Sequence, residues 1–125
     1  MSALVDTSVL IDYLRGHDDA ADLLEGERAL GVLHASEITR LEILSGMRPA
    51  EEGPTRLLLS TLEWHEVDAT VAEEAGRLGR EWLPGNRGID GADLAIAATT
   101  ILVGADLLTM NVKHFPMFAN LRPPY

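Results

Sequence analysis

The fold of this chain is decided by residues 3–8, which read ALVDTS. A short apolar run, followed at once by a Thr-Ser pair and a periodic apolar pattern, predicts a buried strand, a tight turn and a helix. Asp6 then stands where the strand ends. Strands of an open α/β sheet point their carboxyl ends into the ligand crevice, so Asp6 is a candidate for chemistry. Taken alone, Asp6 could equally be the N-cap of the helix.

Length and composition limit the protein classes to which the chain can belong. Its 125 residues, 46% of them hydrophobic, suffice for one globular domain and are too few for two, so we expect a single domain over residues 1–125. No apolar run approaches the ~20 residues that cross a bilayer, and no signal-peptide pattern opens the chain. We therefore expect a cytoplasmic protein with no membrane partner. The absence of cysteine excludes a disulfide framework, a thiolate zinc site and a cysteine nucleophile.

The charge balance is strongly acidic. Ten basic residues stand against twenty acidic ones, giving a net charge of −10. This is the wrong sign for a protein that coats nucleic acid by charge alone. A divalent cation, a basic partner segment or a local arginine patch would compensate for it. The alternative is that the acidic surface only keeps the protein soluble.

Apolar runs and helical patterns alternate along the rest of the chain. Strands are expected at residues 30–34, 64–67 and 105–109, and helices at about 17–28, after Ser36, at 57–62, after Asp68 as far as residue 82, and at 94–103. This alternation predicts a parallel sheet with helices on both faces. Thr109 and Asn111, at the carboxyl end of the last strand, would then lie beside Asp6. Asp106 begins that strand and would lie at the opposite edge.

Glu42 is the second acidic candidate. It falls in a helical stripe formed by Ile38, Leu41, Glu42 and Ser45. A charge on an inward face is costly unless it is paired or bound to a metal. A glutamate at the rim, with its stem on apolar surface, is the alternative. Because Leu41 and Leu44 suggest a well-buried helix, the sequence favours the functional interpretation.

Asp90 and Asp93 open the last long helix. Asp90 fits an N-cap, and that structural role is the default for it. Asp93 lies in the first turn of a helix that is apolar on nearly every side. Compensation of the helix dipole explains part of its presence there, and a metal-facing carboxylate would explain the rest.

Three carboxylates, those of Asp6, Glu42 and Asp93, are thus expected to converge. Like charges this close repel one another unless a cation neutralises them. Oxygen ligands without cysteine select a hard ion such as Mg²⁺ or Mn²⁺. Such an ion can bind a phosphodiester oxygen and activate water for attack, which is the chemistry of metal-dependent nucleases.

Four blocks of the sequence resemble the signature blocks of PIN-domain proteins, and of VapC-type toxins in particular. They are VDTSVLI at residues 5–11, TRLEILSG at 39–46, ADLAIAAT at 92–99 and LTMNVKHF at 108–115. The blocks occur in the family's order and span nearly the whole chain.

The resemblance implies a three-layer α/β fold with a central parallel sheet of four or five strands. It also implies an Mg²⁺- or Mn²⁺-dependent endoribonuclease that acts as the toxin of a toxin–antitoxin pair and forms a homodimer. The family's metal ligands correspond to Asp6, Glu42 and Asp93, and its supporting polar groups to Thr7, Ser8 and Thr109.

At the family's fourth acidic position this chain has Asn111. A neutral amide still offers an oxygen but weakens a second metal site, so we expect a single resting ion. Asp90 could substitute for the missing carboxylate, although its capping role is the stronger expectation.

Two other functions remain open at this stage. A catalytically silent PIN-like binding module is favoured by Asn111 alone. A receiver-like phosphoacceptor domain would need a second acid directly after Asp6, where Thr7 stands.

The charge also predicts the chemistry of the partner. An acidic toxin should recruit an antitoxin with a basic C-terminal arm that is disordered until it binds. Such an arm would lay an apolar stripe against the helices and bring an arginine near the three carboxylates.

Overall fold

A parallel four-stranded sheet forms the centre of the structure, a computed structural model that describes residues 2–125. The strands are Ala3–Val5 (β1), Leu33–Ser36 (β2), Glu63–His65 (β3) and Asp106–Leu108 (β4). Their order across the sheet is β3-β2-β1-β4, and every neighbouring pair is parallel. Leu4 pairs with His34 on one side and with Leu107 on the other. The predicted sheet is therefore confirmed with four strands.

Helices connect the strands and cover both faces of the sheet. They are Thr7–Leu14 (α1), Asp18–Leu30 (α2), Glu37–Gly46 (α3), Glu52–Leu59 (α4), Ala69–Trp82 (α5) and Gly91–Val103 (α6), with short 3-10 turns at Pro49–Glu51 and Val112–His114. Three predicted caps are confirmed: the side chains of Ser36, Asp68 and Asp90 accept the N–H groups of Ile38, Val71 and Asp93.

Strand β1 separates two hydrophobic cores, because alternate side chains of a strand point to opposite faces. Val5 belongs to the core covered by α1, α2 and α4, whereas Leu4 belongs to the core under α5 and α6. Both side chains are fully buried, and burial of each contributes about 1.5–3 kcal/mol to stability. The result is the expected three-layer α/β arrangement, with β1 at its centre.

Several predicted boundaries differ from the observed ones. Residues 30–32 were expected to begin the second strand, but α2 continues through Leu30, and β2 begins at Leu33. Leu30 and Val32 are exposed, so their apolar character does not reflect a buried strand. The helix expected at residues 57–62 is Glu52–Leu59, which begins earlier because Pro54 in its first turn removes no needed N–H. Helix α6 likewise begins at Gly91, directly after its cap, and not at residue 94.

Helix α3 turns a different face inward from the one predicted. Its buried residues are Thr39 and Ile43, whereas Leu41 is 59% exposed and Glu42 is also exposed. The predicted stripe is therefore wrong by about one position. The polar Thr39 is buried because it faces Thr7 on α1, and apolar periodicity does not detect that contact.

Helix α6 is buried along most of its length. Residues 94–100 are buried, whereas Ile101 and Leu102, near its end, are partly exposed. Across residues 2–125, none of the helices combines the length and the hydropathy that crossing a membrane would require.

Candidate functional site

Asp6 lies at the carboxyl end of β1, as predicted. Its backbone N–H donates to Leu108 O at 2.9 Å, which ties the end of β1 to the end of β4. The residue is only 4% exposed. Asp6 occupies the N-cap position of α1, yet its carboxylate makes no capping hydrogen bond to that helix. The capping interpretation therefore does not explain the carboxylate.

Two hydroxyl groups hold the Asp6 carboxylate from different elements. Ser8 Oγ donates to Asp6 Oδ2 at 2.8 Å, and Thr109 Oγ1 donates to the same oxygen at 2.7 Å. The backbone N–H of Met110 donates to Ser8 Oγ, and that of Asn111 donates to Thr109 Oγ1. Each hydroxyl thus accepts from one backbone amide and donates to Asp6. This network fixes the orientation of a buried carboxylate.

A second network connects Glu42 to the start of α1. Thr7 Oγ1 lies 2.6 Å from Glu42 Oε1 and 3.0 Å from Thr39 Oγ1. A hydroxyl has one proton, and the shorter distance indicates that Thr7 donates it to the Glu42 carboxylate. Glu42 is therefore held at the rim of the site by its carboxylate, although its side chain is exposed.

Asp90 and Asp93 cap the start of α6 reciprocally. The Asp93 N–H donates to Asp90 Oδ1 at 2.9 Å, and the Asp90 N–H donates to Asp93 Oδ2 at 3.1 Å. This capping box satisfies two otherwise unpaired backbone donors of the helix terminus. Asp93 therefore has a structural role that the sequence did not reveal, and this role engages only one of its two carboxylate oxygens.

His114 was not predicted at the site, and the structure places it there. Its Nδ1 lies 3.2 Å from Asp93 Oδ2. The pKa of Asp93 is raised to about 6, mainly by burial and also by the nearby Asp90 carboxylate, while the backbone hydrogen bond from Asp90 and the proximity of His114 oppose the shift. No periodicity or spacing could have indicated this contact, because it joins the start of α6 to the turn that follows β4.

Asn111 and Asp106 differ in position as expected. Asn111 precedes the Val112–His114 turn, is exposed, and supplies its backbone N–H to Thr109. Asp106 begins β4 and is exposed. Asn111 therefore lies beyond the carboxyl end of β4, close to Thr109, whereas Asp106 lies at the start of that strand.

Hydroxyl groups at the start of α1 hold Asp6 and Glu42, whereas Asp93 caps α6 and contacts His114 in the turn after β4. Across residues 2–125, no three histidine or acidic side chains already surround a common point where a metal would fit. In the same range, the ion pairs formed by arginine join Arg40 to Glu37 and Arg77 to both Glu74 and Glu81, and none involves Asp6, Glu42 or Asp93. A buried carboxylate without a basic partner is costly, and a hard cation is the neutralising group that suits an all-oxygen donor set.

A separate apolar groove lies between α1, α2 and α4. It has a volume of about 800 Å³ and is lined by residues that include Tyr13, Leu24 and Leu57. Leu57 is 71% exposed and Tyr13 is 39% exposed. Exposed apolar side chains around a groove are typical of protein interaction sites.

Comparison with known proteins identifies the family. A family model described as "PIN domain" matches residues 3–119. The chain is 45% identical over 127 residues to Ribonuclease VapC19 of Mycobacterium tuberculosis, with 98% of each chain covered. It is 38% identical over 122 residues to Ribonuclease VapC10 of the same species, covering 98% of this chain and 92% of the relative.

Solved structures of similar fold agree with this assignment. A toxin–antitoxin complex from Klebsiella pneumoniae contains a chain that is 31% identical, with a TM-score of 0.83 and 98% of each chain covered. VapBC2 from Rickettsia felis, bound to a DNA fragment from its promoter, contains a chain that is 25% identical, with a TM-score of 0.82 and coverage of 97% and 96%. The chain therefore belongs to the PIN-domain family and, within it, to the VapC group.

Proposed function

We propose that this protein is a metal-dependent endoribonuclease that acts as the toxin of a VapBC-type toxin–antitoxin pair. In this proposal Asp6, Glu42 and Asp93 are the ligands of one Mg²⁺ or Mn²⁺ ion. The observation that carries it is the Asp6 carboxylate, which is 4% exposed, is oriented by two hydroxyl groups and has no basic partner among the described residues. The likeness to the VapC ribonucleases supports the reaction class.

The bound ion would polarise a phosphodiester oxygen and lower the pKa of water for in-line attack. The protein's own groups have simpler tasks. Ser8 and Thr109 orient the Asp6 carboxylate by donating to Oδ2. Thr7 holds the Glu42 carboxylate at the rim, where a substrate phosphate can approach. The Asp90 N–H holds one oxygen of Asp93 at the start of α6.

The test is cleavage of total RNA by the purified protein with Mg²⁺ or Mn²⁺, compared with the same reaction in chelator. Asp6→Asn should abolish cleavage and leave the metal-free protein folded or more heat-stable, because it removes a buried charge. Asp106→Asn, on the exposed start of β4, is the matched control and should retain activity. Cleavage by folded Asp6→Asn at the parent rate would refute the site. Metal-independent binding of RNA without cleavage would support the silent binding module that Asn111 suggests.

The proposed partner is an antitoxin with a basic C-terminal arm. The net charge of −10 supports a basic partner, and the apolar groove between α1, α2 and α4 suits the apolar stripe of an amphipathic segment. An arginine of the arm would pair with the unneutralised carboxylates, because its planar guanidinium matches a carboxylate and stays charged when desolvated. Similar structures that are toxin–antitoxin complexes support this part of the proposal.

We also propose that the protein forms a homodimer through the C-terminal end of α6. Val67, Ile101 and Leu102 are each at least 40% exposed, and Leu102 borders the same cavity as Glu66 and Asp68. Covering these side chains in a dimer would remove apolar area from water. Sedimentation at micromolar concentration should show a dimer, and Leu102→Lys should convert it to a monomer, whereas Leu30→Lys should not. A parent protein that sediments as a monomer would refute the proposal.

A further inference from the structure

The carboxylate of Asp93 is held asymmetrically. Its Oδ2 lies 3.1 Å from the Asp90 N–H donor and 3.2 Å from His114 Nδ1. Within residues 2–125, no hydrogen bond reaches Oδ1, and no buried side-chain oxygen lacks a partner, so Oδ1 is open to solvent. One oxygen of Asp93 therefore accepts the Asp90 N–H and lies beside the His114 ring, and the other is free.

The backbone of His114 is fixed by its neighbours, and its side chain is 40% exposed. His114 ends the Val112–His114 turn, its N–H donates to Asn111 O at 2.9 Å, and the next residue, Phe115, is 1% exposed in the core under α5 and α6. A Cβ built on Gly88, whose φ is +91°, would lie 4.0 Å from His114 Nε2. The ring is thus placed between Asp93 and the connector that precedes α6.

This arrangement constrains which oxygen Asp93 can offer. A carboxylate that accepts a single hydrogen bond can still rotate about its Cβ–Cγ bond, whereas the His114 ring nitrogen 3.2 Å from Oδ2 restricts that rotation. An imidazole with its proton on Nδ1 can donate to Oδ2 when the ring turns into line with that oxygen. Partners of this kind orient metal ligands, and their removal weakens metal affinity by about 10–100-fold.

We propose that His114 is a positioning residue that fixes the carboxylate of Asp93, so that its free oxygen Oδ1 faces the cation. This inference rests on the proposed function, because it takes Asp93 to be a metal ligand. His114 itself does not contact the cation or the substrate.

The test is calorimetric titration of the full-length protein with Mn²⁺, which measures binding independently of cleavage. His114→Ala should weaken Mn²⁺ binding about 10–100-fold. His114→Asn should restore it, because the amide nitrogen of asparagine occupies the place of Nδ1 and can donate to Oδ2. His114→Gln should not, because its amide nitrogen lies one bond further out.

At saturating Mn²⁺, His114→Ala should recover most of the parent cleavage rate. His17→Ala, which removes a histidine that contacts Tyr125, is the matched control and should bind Mn²⁺ like the parent.

The outcomes separate this inference from the proposed function. If the parent binds no Mn²⁺, or if Asp6→Asn binds it as tightly as the parent, the metal site itself is wrong. If Asp6→Asn loses binding while His114→Ala keeps it, only the role of His114 is overturned. If His114→Ala does not fold in a thermal melt, the Mn²⁺ affinities of His114→Asn and His114→Gln are compared instead. Equal affinity in those two variants overturns the positioning role.

Discussion

At the scale of single residues, the Asp6 carboxylate depends on hydroxyl donors from two elements. Thr109 is fully buried and donates to Asp6 Oδ2 at 2.7 Å. Thr109→Val keeps the shape of the side chain and removes the donor, leaving a buried charge with only Ser8 to solvate it. We expect a loss of about 1–3 kcal/mol in the free energy of unfolding, measured by urea denaturation.

A matched control exists in α6. Thr99 is also buried, but its hydroxyl donates to Ala95 O of its own helix, whose carbonyl already accepts a backbone bond. Thr99→Val should therefore cost much less than Thr109→Val. Equal losses in the two variants would show that the hydroxyl of Thr109 contributes through packing and not through Asp6.

A histidine pair that joins β2 and β3 makes the stability of the protein depend on pH. His34 Nδ1 lies 2.8 Å from His65 Nε2, and Glu63 Oε2 lies 3.6 Å from the same His34 atom. Burial lowers the pKa of His34, the neighbouring His65 lowers it further, and Glu63 opposes the shift. A histidine in the unfolded chain has a pKa of about 6.5. The unfolded chain therefore binds more protons at this position than the folded chain at mildly acidic pH.

The sign of the effect follows from this difference. Stability decreases with falling pH wherever the unfolded state binds more protons, so the contribution of His34 to the free energy of unfolding should fall as the pH drops below ~6.5. Urea midpoints at neutral and mildly acidic pH should differ less for His34→Gln than for the parent. His17→Gln should behave like the parent, and an unchanged pH dependence in His34→Gln would contradict this assignment.

At the scale of elements, α3 shows that hydrophobic periodicity can predict the wrong buried face of a helix. The predicted stripe included Leu41, but the buried positions are Thr39 and Ile43. Ile43→Ala should therefore cost about 2–5 kcal/mol in the free energy of unfolding. Leu41→Ala, on the exposed face, should cost much less. Similar losses in the two variants, measured by denaturant unfolding, would support the predicted face over the observed one.

Features that depend on local sequence were predictable. The strand that ends at Asp6 and the caps at Ser36, Asp68 and Asp90 are set by neighbouring residues, and the structure confirms each of them. Strand and helix alternation likewise determines a parallel sheet, because the connections between parallel strands must cross over.

Features that depend on tertiary contacts were not predictable. The bond from Thr7 to Glu42 joins residues 35 positions apart, and His114 meets Asp93 only because the turn after β4 folds back over the start of α6. The sequence predicts Leu30 in a strand although it is exposed, because an exposed apolar residue has the same sequence signature as a buried one.

At the scale of the whole molecule, the acidic charge and the apolar groove predict how the antitoxin binds. Leu57 lines the groove and is 71% exposed. Leu57→Glu should weaken binding of the co-expressed antitoxin, because it places a charge on the apolar surface that the partner would cover. Leu83→Glu, on the far side of the sheet at the end of α5, should leave the affinity unchanged. Equal affinity of both variants, measured by calorimetry, would exclude the groove as the docking site.

The basic arm can be tested in the same complex. Deleting the arm, or changing its arginines to alanine, should release RNA cleavage by the bound toxin. A truncated antitoxin that inhibits as well as the intact one would contradict the role of charge in masking the site.

The central claim is that Asp6, Glu42 and Asp93 hold one cation at the carboxyl end of the sheet. The most direct measurement is anomalous scattering from crystals of the full chain grown with Mn²⁺. We predict a single anomalous peak bounded by the carboxylates of Asp6, Glu42 and Asp93. A map with no peak there, or with Mn²⁺ bound only elsewhere on the acidic surface, would contradict the account.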